Sequence, residues 1–125
     1  MDNTFTLDEK LYRAVYPPET VAMFWRKDGS LSSAAFADPK GLSVDRGDHR
    51  ADDEVIRSMK KRFSGIIVRL FVKNCYNIGA VPRYCPSKSN PWHSEIHGSE
   101  TSVLLSKSQR LYLAEKAVVI GREDR

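Results

Sequence analysis

Only two cysteines occur in the chain, Cys75 and Cys85, and they form no CxxC pair. That excludes a disulfide-built miniprotein and a thiolate zinc site of ordinary ligand spacing. Two cysteines in a chain without a secretory leader favour reduced thiols. The opening residues Met1-Asp2-Asn3-Thr4 are acidic and polar, where such a leader would place a basic stretch before an apolar one. Long hydrophobic runs are missing as well. The longest, from Gly65 to Val72, is broken by Arg69, far short of the roughly 20 residues that cross a bilayer. No GxSxG elbow, P-loop or GxGxxG string is present, so the common hydrolase and nucleotide signatures are absent. Internal repeats and low-complexity tracts are lacking too.

What the chain does have suits one domain. Its 125 residues are 41% hydrophobic and 29% charged, enough apolar material for one core and too little for two. The whole of 1–125 is therefore expected as a single domain, with 1–6 and 122–125 loose at its ends. A formal charge of +4 makes the protein mildly basic. Arg57, Lys60, Lys61 and Arg62 carry most of that bias. Such an excess is compatible with a solvated face or with weak nucleic-acid contact.

Alternation of side chains predicts a first strand over Lys10–Tyr16, with Leu11, Arg13 and Val15 on one face. Pro17-Pro18 ends it. Glu19–Trp25 fits a helical turn or a strand. Asp28-Gly29 and Asp38-Pro39-Lys40-Gly41 carry turn signals, and Leu42–Val44 follows as a short strand before a polar loop over Asp45–Arg50. Asp52–Phe63 has the helical spacing of Val55, Ile56, Met59 and Phe63, with acids in its first turn and bases in its last. Ile66–Val72 is an interior strand rich in β-branched residues. Lys73–Pro91 holds prolines and a glycine and is expected as mostly loop. Trp92–Gly98 is a strand. A helix starts near Ser106, where Ser106-x-x-Gln109 has capping-box spacing, and Ala117–Ile120 is an edge strand. The fold class expected is α+β, a mostly antiparallel sheet with two main helices packed on it.

Three polar groups carry possible chemistry. In Trp92-His93-Ser94-Glu95-Ile96-His97, strand alternation puts His93, Glu95 and His97 on one face. Two imidazoles flanking a carboxylate can ligate a metal, or Glu95 can orient a histidine for proton transfer. The same pattern also describes the wet face of a half-buried strand. Arg13, among apolar neighbours, needs a carboxylate partner or an anionic ligand if it faces inward, and nothing if its register turns it outward. Ser32-Ser33 and Ser43-x-Asp45-Arg46 complete the set, the hydroxyls as backbone caps and Asp45-Arg46 as a surface pair.

The strings Leu11-Tyr12-Arg13, Leu31-Ser32-Ser33-Ala34-Ala35-Phe36, Leu42-Ser43-Val44-Asp45-Arg46 and Asn90-Pro91-x-His93 resemble a family of small uncharacterised bacterial proteins, over about residues 11 to 120. The resemblance implies a bacterial-type cytoplasmic protein and carries no established activity. Where that family reads Asn-Pro-Ala-His-Ala, this chain has Trp92 and Ser94. His93 therefore matches, while Glu95 and His97 lie outside the pattern. A fainter similarity is to ADP-ribosyltransferase-like folds. It implies Arg13 on the phosphates of a nicotinamide dinucleotide, Ser32 or Ser33 in the nicotinamide pocket, and Glu95 as catalytic carboxylate. The spacing from Arg13 to Ser32 is short for that fold.

Three functions follow as expectations. The first is an accessory or interaction protein without chemistry of its own, marked by exposed apolar surface near Trp25 or Trp92. The second is an enzyme acting on NAD through Arg13, Ser33, His93 and Glu95, which must then line one cleft. The third is weak nucleic-acid binding through Lys60, Lys61 and Arg62.

Overall fold

Alternating apolar residues along Lys10–Val15 and Ile66–Phe71 demand a sheet with two covered faces, and that is what forms. A computed structural model describes residues 1–122, and 123–125, expected to be loose, lie outside the described residues. The strands are β1 (Lys10–Val15), β2 (Leu42–Arg46), β3 (Ile66–Phe71), β4 (Val81–Tyr84), β5 (His93–His97) and β6 (Val118–Gly121). The helices are α1 (Asp52–Lys60), α2 (Val72–Tyr76) and α3 (Lys107–Lys116), with 3-10 turns at Ala22–Phe24 and Ser33–Phe36. All six strands join one antiparallel sheet in the order β4-β5-β2-β1-β3-β6. The chain is a single α+β domain. No helix among the described residues is long and apolar enough to cross a membrane.

The two faces differ in what covers them. On the inner face Leu11, Val15, Leu42, Val44, Val68, Leu70 and Ile96 pack with Phe36 and with Leu113 and Ala114 of α3. On the outer face α1 lays Val55 and Met59 on Tyr12 and Ile67. That smaller cluster covers only the β1-β3-β6 half. The outer face of β4-β5-β2 carries polar side chains instead.

Local chemistry explains the elements. Ser106 accepts the Gln109 N–H at 3.1 Å while the Gln109 side chain accepts the Ser106 N–H at 2.8 Å, so the expected capping box starts α3. Helix α1 stops at Lys60, short of the expected Phe63, because the N–H groups of Arg62 and Phe63 both fold back on the Met59 carbonyl. Phe63 thus leaves the core and is 41% exposed. Gly65 then turns at φ 123, where a Cβ would come within 2.7 Å of the Val15 carbonyl oxygen, a position closed to any side chain.

Two expectations change, and one gains detail. The stretch 73–91 is mostly loop, as expected, but it also contains most of α2 and all of β4. Asp45 and Arg46 are not loop residues but the buried end of β2, at 2% and 3% exposure. Residues 1–6 are not loose either. The Arg46 guanidinium donates to the carbonyls of Asp2 and Thr4, Asn3 accepts the Tyr84 N–H at 2.8 Å, and Phe5 is buried. Arg46 also meets both carboxylate oxygens of Glu9 at 2.8 Å, so the pair is internal and the N-terminal strap is tied to it.

A candidate site where the sheet divides

Strands β1 and β2 pair only at Leu11–Arg46 and Tyr12–Asp45. Beyond Tyr12, β1 stays on β3 along its whole length, and β2 stays on β5 from Leu42 to Asp45. The sheet therefore splits. Arg13 sits at the split, on the face of Leu11 and Val15. It turns inward, yet among the described residues it meets no carboxylate. Its Nε donates to the Ala35 carbonyl and its Nη1 to the Ser43 carbonyl, each at 2.9 Å. The side chain thus replaces ladder hydrogen bonds that the parted strands no longer make. Burial pushes its pKa below the ordinary arginine value, opposed only by the more distant charge of Asp38.

A cleft of about 80 Å³ opens at this split. Tyr12, Arg13 and Ala14 line it from β1, Ser43, Val44 and Asp45 from β2, Met59 and Phe63 from the end of α1, and His93 from β5. Asp45 is held by Arg62 Nη2 at 2.7 Å and Asn90 Nδ2 at 2.8 Å. His93 Nδ1 lies 3.0 Å from the Cys85 carbonyl. A carbonyl can only accept, so Nδ1 carries the proton and Nε2 is the open ring nitrogen. The Ser43 hydroxyl has no hydrogen bond among the described residues. Cys85 Sγ is 3.4 Å from His93 Nδ1, but burial and then the charge of Glu95 push the thiol pKa up, which disfavours the nucleophilic thiolate. Cys75 and Cys85 are both free.

Along β5 the register sets His93, Glu95 and His97 on the outer face, opposite Asp45 and Ser43 of β2 and Arg83 of β4. The three share a face as the alternation implies, yet they do not converge. His97 Nε2 bonds Glu95 Oε1 at 2.9 Å, while His93 turns back to Cys85. Among the described residues no three of His, Cys, Asp and Glu are placed to hold a metal ion. The Glu95 carboxylate lies over Gly41, where a Cβ would come within 2.5 Å of Oε1.

The four residues of the dinucleotide reading are not brought together. Arg13 is on the inner face, and Ser33 belongs to the turn beside α3. Glu95 is on the outer face, so the convergence that reading requires is not met. The basic helix end is partly engaged as well. Arg62 pairs with Asp45, and Lys60 Nζ donates to the Arg122 carbonyl at 2.6 Å.

A second concavity, of about 900 Å³, runs along the far edge of the sheet. Leu31, Ser32 and Ser33 form one wall, and Leu111, Ala114 and Ala117–Val119 the other. Leu111 and Val118 are about half exposed. The two sheet edges are treated differently. On β4, Pro82 removes an outward donor and Asn3 covers the Tyr84 N–H, devices that discourage strand addition. On β6, among the described residues, no side chain hydrogen-bonds to Val118, Val119 or Ile120.

Residues distant in sequence meet at the split. Ala35 and Ser43 receive Arg13, and Asn90 holds Asp45 opposite His93. Set against known proteins, the chain matches no protein-family model, no curated protein and no solved structure.

Proposed function

We propose that this chain is a small bacterial-type cytoplasmic accessory protein that binds a partner and performs no chemistry of its own. The partner contributes an extended segment that adds to the β6 edge and drops alternate side chains into the adjoining groove. One observation carries the reading: a concavity of about 900 Å³ is walled by exposed Leu111 and Val118 beside a strand edge that no side chain among the described residues caps. Leu31 of the groove wall bridges the buried Trp25, and exposed apolar surface of this kind supports an interaction reading. The polar residues support it from the other side, because His97 pairs with Glu95 and Arg62 with Asp45.

The test is a selection from a random-peptide display library on the purified protein. Enriched peptides should alternate apolar and polar residues and lose at least tenfold in affinity against Leu111→Glu or Val118→Lys, while His97→Ala binds them unchanged. Failure to enrich any peptide, or equal binding by Leu111→Glu, overturns the assignment.

A further inference from the structure

The groove beside β6 carries two side-chain charges of opposite sign, and among the described residues neither has a side-chain hydrogen bond or ion pair. Arg26 belongs to the wall that continues through Leu31, and Glu115 to the last turn of α3 on the other side. The charge of Arg26 acts on Asp28, but that carboxylate is held by the Ser30 N–H at 2.9 Å and the Ser30 hydroxyl at 2.6 Å. Leu111 and Glu115 stand one turn apart on a single face of α3. This wall therefore reads apolar and then acidic, against a wall that is apolar and then basic.

Exposed charges are at ease in water. A partner that covers the groove changes this, because it strips water from both groups, and a charge covered without a counter-charge is costly. Opposite charges across such a contact also steer encounter and reject wrong partners. Resting on the strand-addition reading above, we propose that the docking segment is zwitterionic. It lays apolar side chains on Leu111 and Val118, sets an acid against Arg26 and sets a base against Glu115. Side chains on one face of an extended segment recur at alternate residues, so acid, base and apolar anchors occupy positions of one parity. The chain's own β6 does not fit this description. From Lys116 to Arg122 it has a base at each end and no acid, so a second copy paired along that strand brings nothing to set against Arg26. The segment comes from a different protein.

The experiment selects peptides from a random display library, at low salt, on the full wild-type chain, on Arg26→Glu and on Glu115→Lys. Sedimentation of the wild type alone runs beside it. Peptides enriched on the wild type should carry an acid and a base on the parity of their apolar residues. Arg26→Glu should bind those peptides roughly three- to fivefold more weakly, the scale of one partly exposed ion pair. Selection on Arg26→Glu should enrich a base where the acid stood, and selection on Glu115→Lys an acid where the base stood. Lys88→Glu, a reversal in the exposed loop between β4 and β5 at the opposite sheet edge, should change neither affinity nor charge pattern. Alternating peptides without a charge preference, or with one indifferent to Arg26→Glu and Glu115→Lys, overturn this proposal and leave strand addition at β6 standing. Failure to enrich any peptide overturns both. A wild-type dimer that Val118→Lys dissolves gives the groove to a second copy and overturns it as well.

Discussion

Replacing Glu9 with alanine strands a guanidinium inside the protein. The Glu9 and Arg46 side chains are 6% and 4% exposed and meet through two hydrogen bonds of 2.8 Å. Removing one partner of a buried, doubly bonded pair costs about 3–5 kcal/mol, because the remaining charge has no water to return to. A domain of this kind has about 5–15 kcal/mol in all. At about 4 °C per kcal/mol for a chain of this length, the melting temperature should fall by about 12–20 °C. The expected loss grows if the strap lets go, since the same guanidinium holds the carbonyls of Asp2 and Thr4. Urea unfolding followed by the fluorescence of Trp25 and Trp92 gives the free energy, and amide exchange at Phe5 reports the strap. Changing both partners, Glu9→Leu with Arg46→Met, should recover at least half of the loss, because no lone charge is then left inside. A Glu9→Ala protein that loses less than about 1 kcal/mol, the scale of an exposed pair, would refute the reasoning.

Asp52 and the cysteines give two more expected outcomes. Burial raises the Asp52 pKa, but the Tyr12 hydroxyl at 2.7 Å and the charges of Arg69 and Lys10 outweigh it, and the net shift is downward from 3.8. A depressed folded value means stability fully present above the unfolded pKa and lost as pH falls through the folded one. Acid titration from pH 6 to pH 2 should therefore cost the wild type more than Asp52→Asn, and equal slopes would contradict the network. Burial pushes the Cys75 thiol up to about 12, so at pH 8 a disulfide reagent should label Cys85 slowly and Cys75 only on unfolding. Native-state labelling of Cys75 would show that the packing under α2 is wrong.

Much of the framework was legible in local signals. The Ser106–Gln109 box, the Asp28-Gly29 turn and the alternation along His93–His97 each depend on residues a few positions apart. Strand β4 was hidden because Pro82 and its flanking prolines imitate a loop. An edge strand tolerates Pro82, since its missing N–H would point away from β5, as the neighbouring Tyr84 N–H does toward Asn3. Helix α2 is five residues long, too short to show periodicity. The end of β2 escaped notice because Asp45-Arg46 look wet until Asn90, Arg62 and Glu9, distant in sequence, are placed around them.

The candidate site was half visible for the same reason. Arg13, Ser43 and His93 were each singled out, and the inward face of Arg13 was one of two readings open. What periodicity cannot reveal is that β1 and β2 part after two residues, which alone creates the cleft. Met59 and Phe63 looked like ordinary helix core positions, and only the early end of α1 moves Phe63 to the mouth.

The strand order has a consequence for synthesis on the ribosome. Strand β2 lies between β1, which precedes it, and β5, which begins at His93. Until that late segment emerges, one whole margin of β2 is bare, with Leu42 and Val44 beside it. A nascent chain in that condition is open to stray strand pairing until His93–His97 closes the edge of β2.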